Sequence, residues 1–205
     1  MSKSTLKLPA NITEHKLRYK ICVSGAAETS HCAKEALEKA ELVGREIAKR
    51  GLILVTGATT GIPYWAAKGV KAEGGIVIGL SPAASKVSHL KTYHLPTDYH
   101  DLIIYTGFEY SGRNLLLIRS SDAVITICGR MGTLNEFTIA FEDHKPIGVL
   151  EGTGGTADLI RGLLKETHRG PGKVVFSDNP ADLLDQLVQI IEEEEIKNGV
   201  KGRII

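Results

Sequence analysis

Seven short apolar runs rich in β-branched residues punctuate the chain: "KICVSG", "LILVTG", "GIVIGL", "DLIIYTG", "DAVITIC", "PIGVL" and "KVVF". Each ends in a small or polar turn. Between them lie longer stretches with helical spacing of apolar positions, near 32–50, 62–73, 112–120, 133–143, 156–168 and 180–197. Near-continuous apolar strands alternating with amphipathic helices predict a parallel sheet covered on both faces. The expectation is one α/β domain over 1–205, doubly wound and Rossmann-like. It has about seven mainly parallel strands and right-handed crossovers. Residues 1–17 read as a flexible or peripheral N-terminal segment. The charged run Glu192–Glu195 continues an apolar-periodic helix and reads as a solvated face.

Sheets of this kind bind ligands beyond the carboxyl ends of their strands. The first strand runs into "VSGAAETSHC" and the second into "TGATTGIP". Neither turn carries G-x-G-x-x-G, and Thr56 and Gly57 stand where a nicotinamide-dinucleotide domain places a ribose-gripping acid. No G-x-x-x-x-G-K-[ST] occurs, which removes a P-loop kinase or ATPase. The fifth strand's turn, "AVITICGRMGTLNEF", is the strongest local signal. Gly129 and Gly132 let the backbone approach an anion, and the following helix start favours phosphate. Thr133 either caps that helix or meets a phosphate oxygen. Glu136 either projects toward the same ligand or closes a capping box with Thr133. After the sixth strand, Gly152, Gly154 and Gly155 form either a second anion cradle or a plain loop. Tyr64 and Trp65, beside Pro63, are candidates for stacking on a base or for core or dimer packing. His89, His94 and His100 match no metal-ligand spacing.

Composition narrows the classes. With 25 Lys plus Arg against 24 Asp plus Glu in 205 residues, the field is near neutral and gives a nucleic-acid partner no support. Cys22, Cys32 and Cys128 show no C-x-x-C spacing, which argues against a disulfide framework or a zinc site. They read as reduced thiols, and no metal is expected. Cys128, at a helix entrance, is either a reactive thiol or a small buried filler. No apolar run approaches a membrane span and no secretory signal opens the chain, so a soluble, cytoplasmic protein with no membrane partner is expected.

Over residues 18–150 the segments "VSGAAE", "GLILVTGATTGIPYWAAKGVKAEGGIVIGL", "SGRNLLLIRSSDAVITICGRMGTLNEF" and "HKPIGVL" resemble the LOG (Lonely Guy) phosphoribohydrolase superfamily, also labelled lysine decarboxylase-like. Its signature is PGGxGTxxE, with an arginine from the preceding helix. By this resemblance Gly129, Gly132, Thr133 and Glu136 occupy signature positions, with Arg130 and Met131 between the glycines. Arg113 matches the helix arginine, and Ser24, Gly25, Gly57 and Gly61 match phosphate and ribose contacts. The activity implied is hydrolysis of nucleoside 5′-monophosphates to base and ribose 5-phosphate, with Glu136 and Arg113 catalytic. Three positions depart from the pattern: Cys128 replaces proline, Arg130 replaces glycine and Asn114 replaces a basic residue. Arg130 either fills the space of a substrate phosphate or adds a donor for a larger ligand. The cluster with Gly154 and Gly155 resembles instead the branch that includes molybdenum-cofactor carrier proteins. Two functions therefore stand side by side: a phosphoribohydrolase, and a non-catalytic carrier or sensor of a nucleotide or phosphorylated cofactor. Neither requires a further cofactor. The resemblance also implies a homodimer or larger homo-oligomer.

Overall fold

The computed structural model describes residues 17–199, so all but the last residue of the expected N-terminal segment lies outside them. Strands β1 (Lys20–Gly25), β2 (Ile53–Thr56), β3 (Ile76–Ser81), β4 (Leu102–Tyr105), β5 (Ala123–Ile127), β6 (Ile147–Leu150) and β7 (Val174–Ser177) form one sheet in the order β4-β3-β2-β1-β5-β6-β7. Every pairing is parallel. Helices α1 (Ala36–Lys49), α2 (Ile62–Ala72), α3 (Lys86–Lys91), α4 (Glu109–Arg119), α5 (Met131–Glu142), α6 (Gly155–Glu166) and α7 (Pro180–Lys197) connect them. The expected α/β Rossmann-like domain is therefore observed.

Alternation along the strands feeds two cores, as a period of two requires. Ile21, Val23, Ile125 and Ile127 point into the layer covered by α1, α2 and α7, with Val43, Ile47, Val70 and Leu187. Cys22, Val55, Val124 and Val149 point the other way, onto Leu117, Ile118, Phe137 and Ile160 of α4, α5 and α6. Both faces being buried explains why the strands read as unbroken apolar runs.

Helices α1 and α2 approach closely enough that glycine is required at both contacts. A Cβ added at Gly44 would fall 2.0 Å from the Ala66 carbonyl oxygen, and one at Gly69 would fall 2.0 Å from that of Glu41. Helix α3 escaped the periodicity because its six residues are too short to show one. It is held instead by Ser85, whose side chain accepts from the Ser88 amide.

The strand order reverses between β1 and β5, where Gly25 pairs with Ile127. The loops leaving these strands therefore start side by side. That adjacency overturns the expectation of reduced thiols: Cys32, beyond β1, and Cys128, beyond β5, form a disulfide across 96 residues. Linear spacing carried no trace of it. Cys22 remains a free, buried thiol. Among the described residues no helix is long and apolar enough to cross a membrane.

Candidate functional site

A cavity of about 450 Å³ opens over the switch between β1 and β5, within the range of small-molecule sites. One wall is the start of α5. That helix begins at Met131, two residues earlier than its apolar spacing suggested, and Arg130 in extended conformation is its N-cap with no side-chain cap. The first intrahelical amide bond is Leu134 N–H to the Arg130 carbonyl, at 3.0 Å. The amides of Met131, Gly132 and Thr133 precede it, so the helix itself offers them no acceptor, and they form the anion-attracting end of the dipole. This boundary also removes the capping box, since Thr133 and Glu136 both lie inside the helix.

Gly129 makes the entry possible. Its φ is 101°, and a Cβ there would meet the Thr133 side chain at 2.5–2.7 Å. Gly155 supports the turn from behind, where a Cβ would strike the Gly129 carbonyl oxygen at 2.4 Å. Thr156 and Ala157 donate their amides to the carbonyls of Gly129 and Cys128, at 3.1 and 2.8 Å.

On the floor lies Glu136, 6% exposed. Ser24 Oγ, at the end of β1, donates to its Oε2. Asn114, with its amide nitrogen turned toward the carboxylate, donates to Oε1 at 2.8 Å and to the Tyr110 carbonyl at 2.9 Å. Arg113 Nη1 stands 3.7 Å from Oε1. Burial raises the Glu136 carboxyl above its ordinary range, opposed by the Arg113 charge and the Ser24 hydrogen bond. Arg113 itself is 5% exposed, and its Nε has no hydrogen-bond partner among the described residues. Gly57 leaves the room this guanidinium fills: a Cβ there would lie 1.8 Å from Nη1.

Of the residues singled out from sequence, Gly25, Arg113, Arg130, Gly132, Thr133 and Glu136 line the cavity. Ser24 and Gly57 act one layer behind, on Glu136 and Arg113. Gly61, at φ 68°, joins the first two turns, since a Cβ there would meet the Ala26 and Ala27 carbonyl oxygens. The Met131 side chain is 76% exposed and lies in a separate apolar groove. Gly154 and Gly155 do not reach the cavity. The cradle beside them exists but is filled from within: the Asp158 carboxylate accepts from the amides of Gly152 and Gly154, at 2.9 and 3.0 Å. The Arg130 side chain is more than half exposed and points toward Glu28, at 3.8 Å, so it stands at the rim.

Periodicity gave no sign of the part of the lining made by Tyr93, His94, Leu95 and Tyr110. Tyr93 and Tyr110 meet edge to face at 5.8 Å, and Tyr93 donates to Glu109 at 2.6 Å. Tyr64 and Trp65 are elsewhere, against Tyr99 and Lys68. His89 is buried and bonded to Ser81 and the Pro96 carbonyl, and His100 to Thr56.

Known proteins are similar to this chain in sequence or in structure. The chain is 34% identical to an uncharacterized protein of Archaeoglobus fulgidus over 131 residues, 64% of this chain and 79% of that one. The solved structure of a molybdenum cofactor binding protein from Rippkaea orientalis superimposes with a TM-score of 0.71. The two are 26% identical, covering 85% of this chain and 98% of the other. The Moco carrier protein of Chlamydomonas reinhardtii gives a TM-score of 0.71 at 26% identity, over 86% and 99% of the two chains. A family model matches residues 18–184, which include both glycine turns, Arg113 and Glu136, and the chain belongs to that family, the LOG-like SLOG cluster4 family.

Proposed function

We propose that the cavity binds a phosphorylated, nucleotide-like small molecule, its phosphate on the amides of Met131–Thr133 and its ring system toward Tyr93 and Tyr110. Arg113 carries this reading. A buried guanidinium with an unused Nε donor, beside an uncapped helix start, is an arrangement that a ligand anion completes. Arg130 adds an exposed cation at the rim, so Arg130→Gly weakens binding severalfold instead of clearing space for substrate.

The reaction open to this arrangement is hydrolysis of an N-glycosidic bond, releasing base and ribose 5-phosphate. Bond cleavage develops oxocarbenium character on the ribose, which the ionised Glu136 carboxylate stabilises. Its raised pKa makes it a stronger base toward the attacking water. Arg113, Ser24 and Asn114 hold the carboxylate in place, and no step calls for a cofactor.

A second reading, retention of a phosphorylated cofactor without turnover, draws on two observations. Ser24 and Asn114 donate to the two carboxylate oxygens of Glu136, and the solved relatives above are molybdenum-cofactor proteins. A panel of nucleoside 5′-monophosphates, followed by calorimetry and by chromatography of released base, separates the two. Turnover lost in Glu136→Ala establishes the hydrolase. Tight binding without turnover establishes the carrier, and the absence of both for nucleotides and phosphorylated pterins overturns the proposal. A homodimer or larger assembly belongs to the same reading and is measured by light scattering.

A further inference from the structure

Behind the signature turn, outside the cavity, three soft-metal donors converge. The side-chain donor atoms of His31, Cys32 and Cys128 lie within 4.8 Å of one another. His31 Nε2 stands 3.6 Å from Cys128 Sγ. An imidazole nitrogen and a thiolate sulfur bound to one tetrahedral zinc are also about 3.6 Å apart, from bond lengths of about 2.05 and 2.3 Å. The two cysteine Cα atoms are 5.7 Å apart, so small side-chain rotations bring the separated sulfurs to the span of about 3.8 Å that zinc requires.

The imidazole is also set for ligation. The Glu28 carboxylate stands 3.6 Å from Nδ1, leaving Nε2 turned toward Cys128 and the Gly129 carbonyl. Carboxylates in this position orient metal-binding histidines through their far nitrogen. The His31 edge is exposed, Cys32 is half-buried and Cys128 is buried. An ion can therefore enter from solvent and keep one coordination position open to water.

We infer that His31, Cys32 and Cys128 form a redox-gated site for a thiophilic d10 cation, with Zn²⁺ as its representative. A dithiol reductant cleaves the Cys32–Cys128 bond and becomes a cyclic disulfide. Two electrons and two protons pass to the cysteine sulfurs. Zinc then binds the two thiolates and His31 Nε2, releasing the two thiol protons. Reoxidation by a small-molecule disulfide reverses the sequence and expels the ion. His31, Cys32 and Cys128 lie outside the cavity lining, so the test of this site does not depend on what the cavity holds.

The full-length chain, reduced with a phosphine that is then removed under anaerobic conditions, is titrated with Zn²⁺ against a chromogenic chelator. One zinc per chain is expected after reduction and none in the disulfide form. His31→Ala is expected to weaken uptake at least tenfold, and Cys32→Ser to abolish it. The Cys32 position is preferred because Cys128 is buried and its replacement endangers folding. Cobalt in place of zinc is expected to give a thiolate-to-metal charge-transfer band that Cys32→Ser removes. Absence of stoichiometric uptake by the reduced chain overturns the inference, and so does uptake undiminished in Cys32→Ser.

Discussion

Glu136 shows how much one side chain's surroundings decide. Because burial raises its folded pKa, it favours the fold fully below the ordinary carboxylate range. That contribution is lost as pH rises through the raised value. Glu136→Gln keeps the shape without the charge. Its melting temperature is therefore expected to gain on that of wild type as pH increases from about 4 to 8, an interval spanning the usual carboxylate range and above. A difference that stays flat with pH would mean the carboxyl is ordinary. Gly57→Ala acts on the partner: the new methyl displaces the Arg113 guanidinium, whose Nη1 lies 1.8 Å from the added Cβ. Loss of a charge-assisted bond worth about 1.5–3 kcal/mol predicts phosphate-ligand affinity falling roughly tenfold or more, read by calorimetry. Glu136 and Arg113 were legible in the chain because a known signature contains them. Tyr93 and His94 were not, because only the path of the β3–β4 connection brings them to the cavity that α5 also lines.

At the level of elements, the β-branched runs announced all seven strands, since a doubly covered sheet demands apolar residues on both sides. Helix starts were harder to read. Helix α5 begins at Met131 without a conventional cap, so its spacing pointed to a later residue. Helix α6 shows the contrasting solution, an N-terminus whose anion is supplied by its own Asp158. Asp158→Ala exposes those amides and is expected to lower stability by about 1 kcal/mol, measured by urea unfolding. The same substitution should leave nucleotide affinity unchanged, because this turn does not face the cavity. Two similar glycine turns thus differ in whether the chain itself fills them, a distinction that needs coordinates.

For the whole molecule, the Cys32–Cys128 bond closes a loop of 96 residues in sequence. Constraining an unfolded chain over such a span stabilises the native state by roughly 2–4 kcal/mol in typical cases. Cys32→Ser or chemical reduction is therefore expected to lower the unfolding free energy by that order in chelator-free buffer. If the inferred metal site forms, added zinc restores part of it to reduced wild type and none to Cys32→Ser. This bond was hidden from the sequence because thiol pairing follows strand adjacency, and Cys32 and Cys128 meet only once β1 and β5 are neighbours. The Gly44 and Gly69 contacts have a different bearing on the whole. A saturation survey selecting only for intact protein should find both positions nearly intolerant of replacement. Relatives would then keep glycine at both positions for steric reasons alone, and a reader of such invariance would look for chemistry where there is only a lack of room.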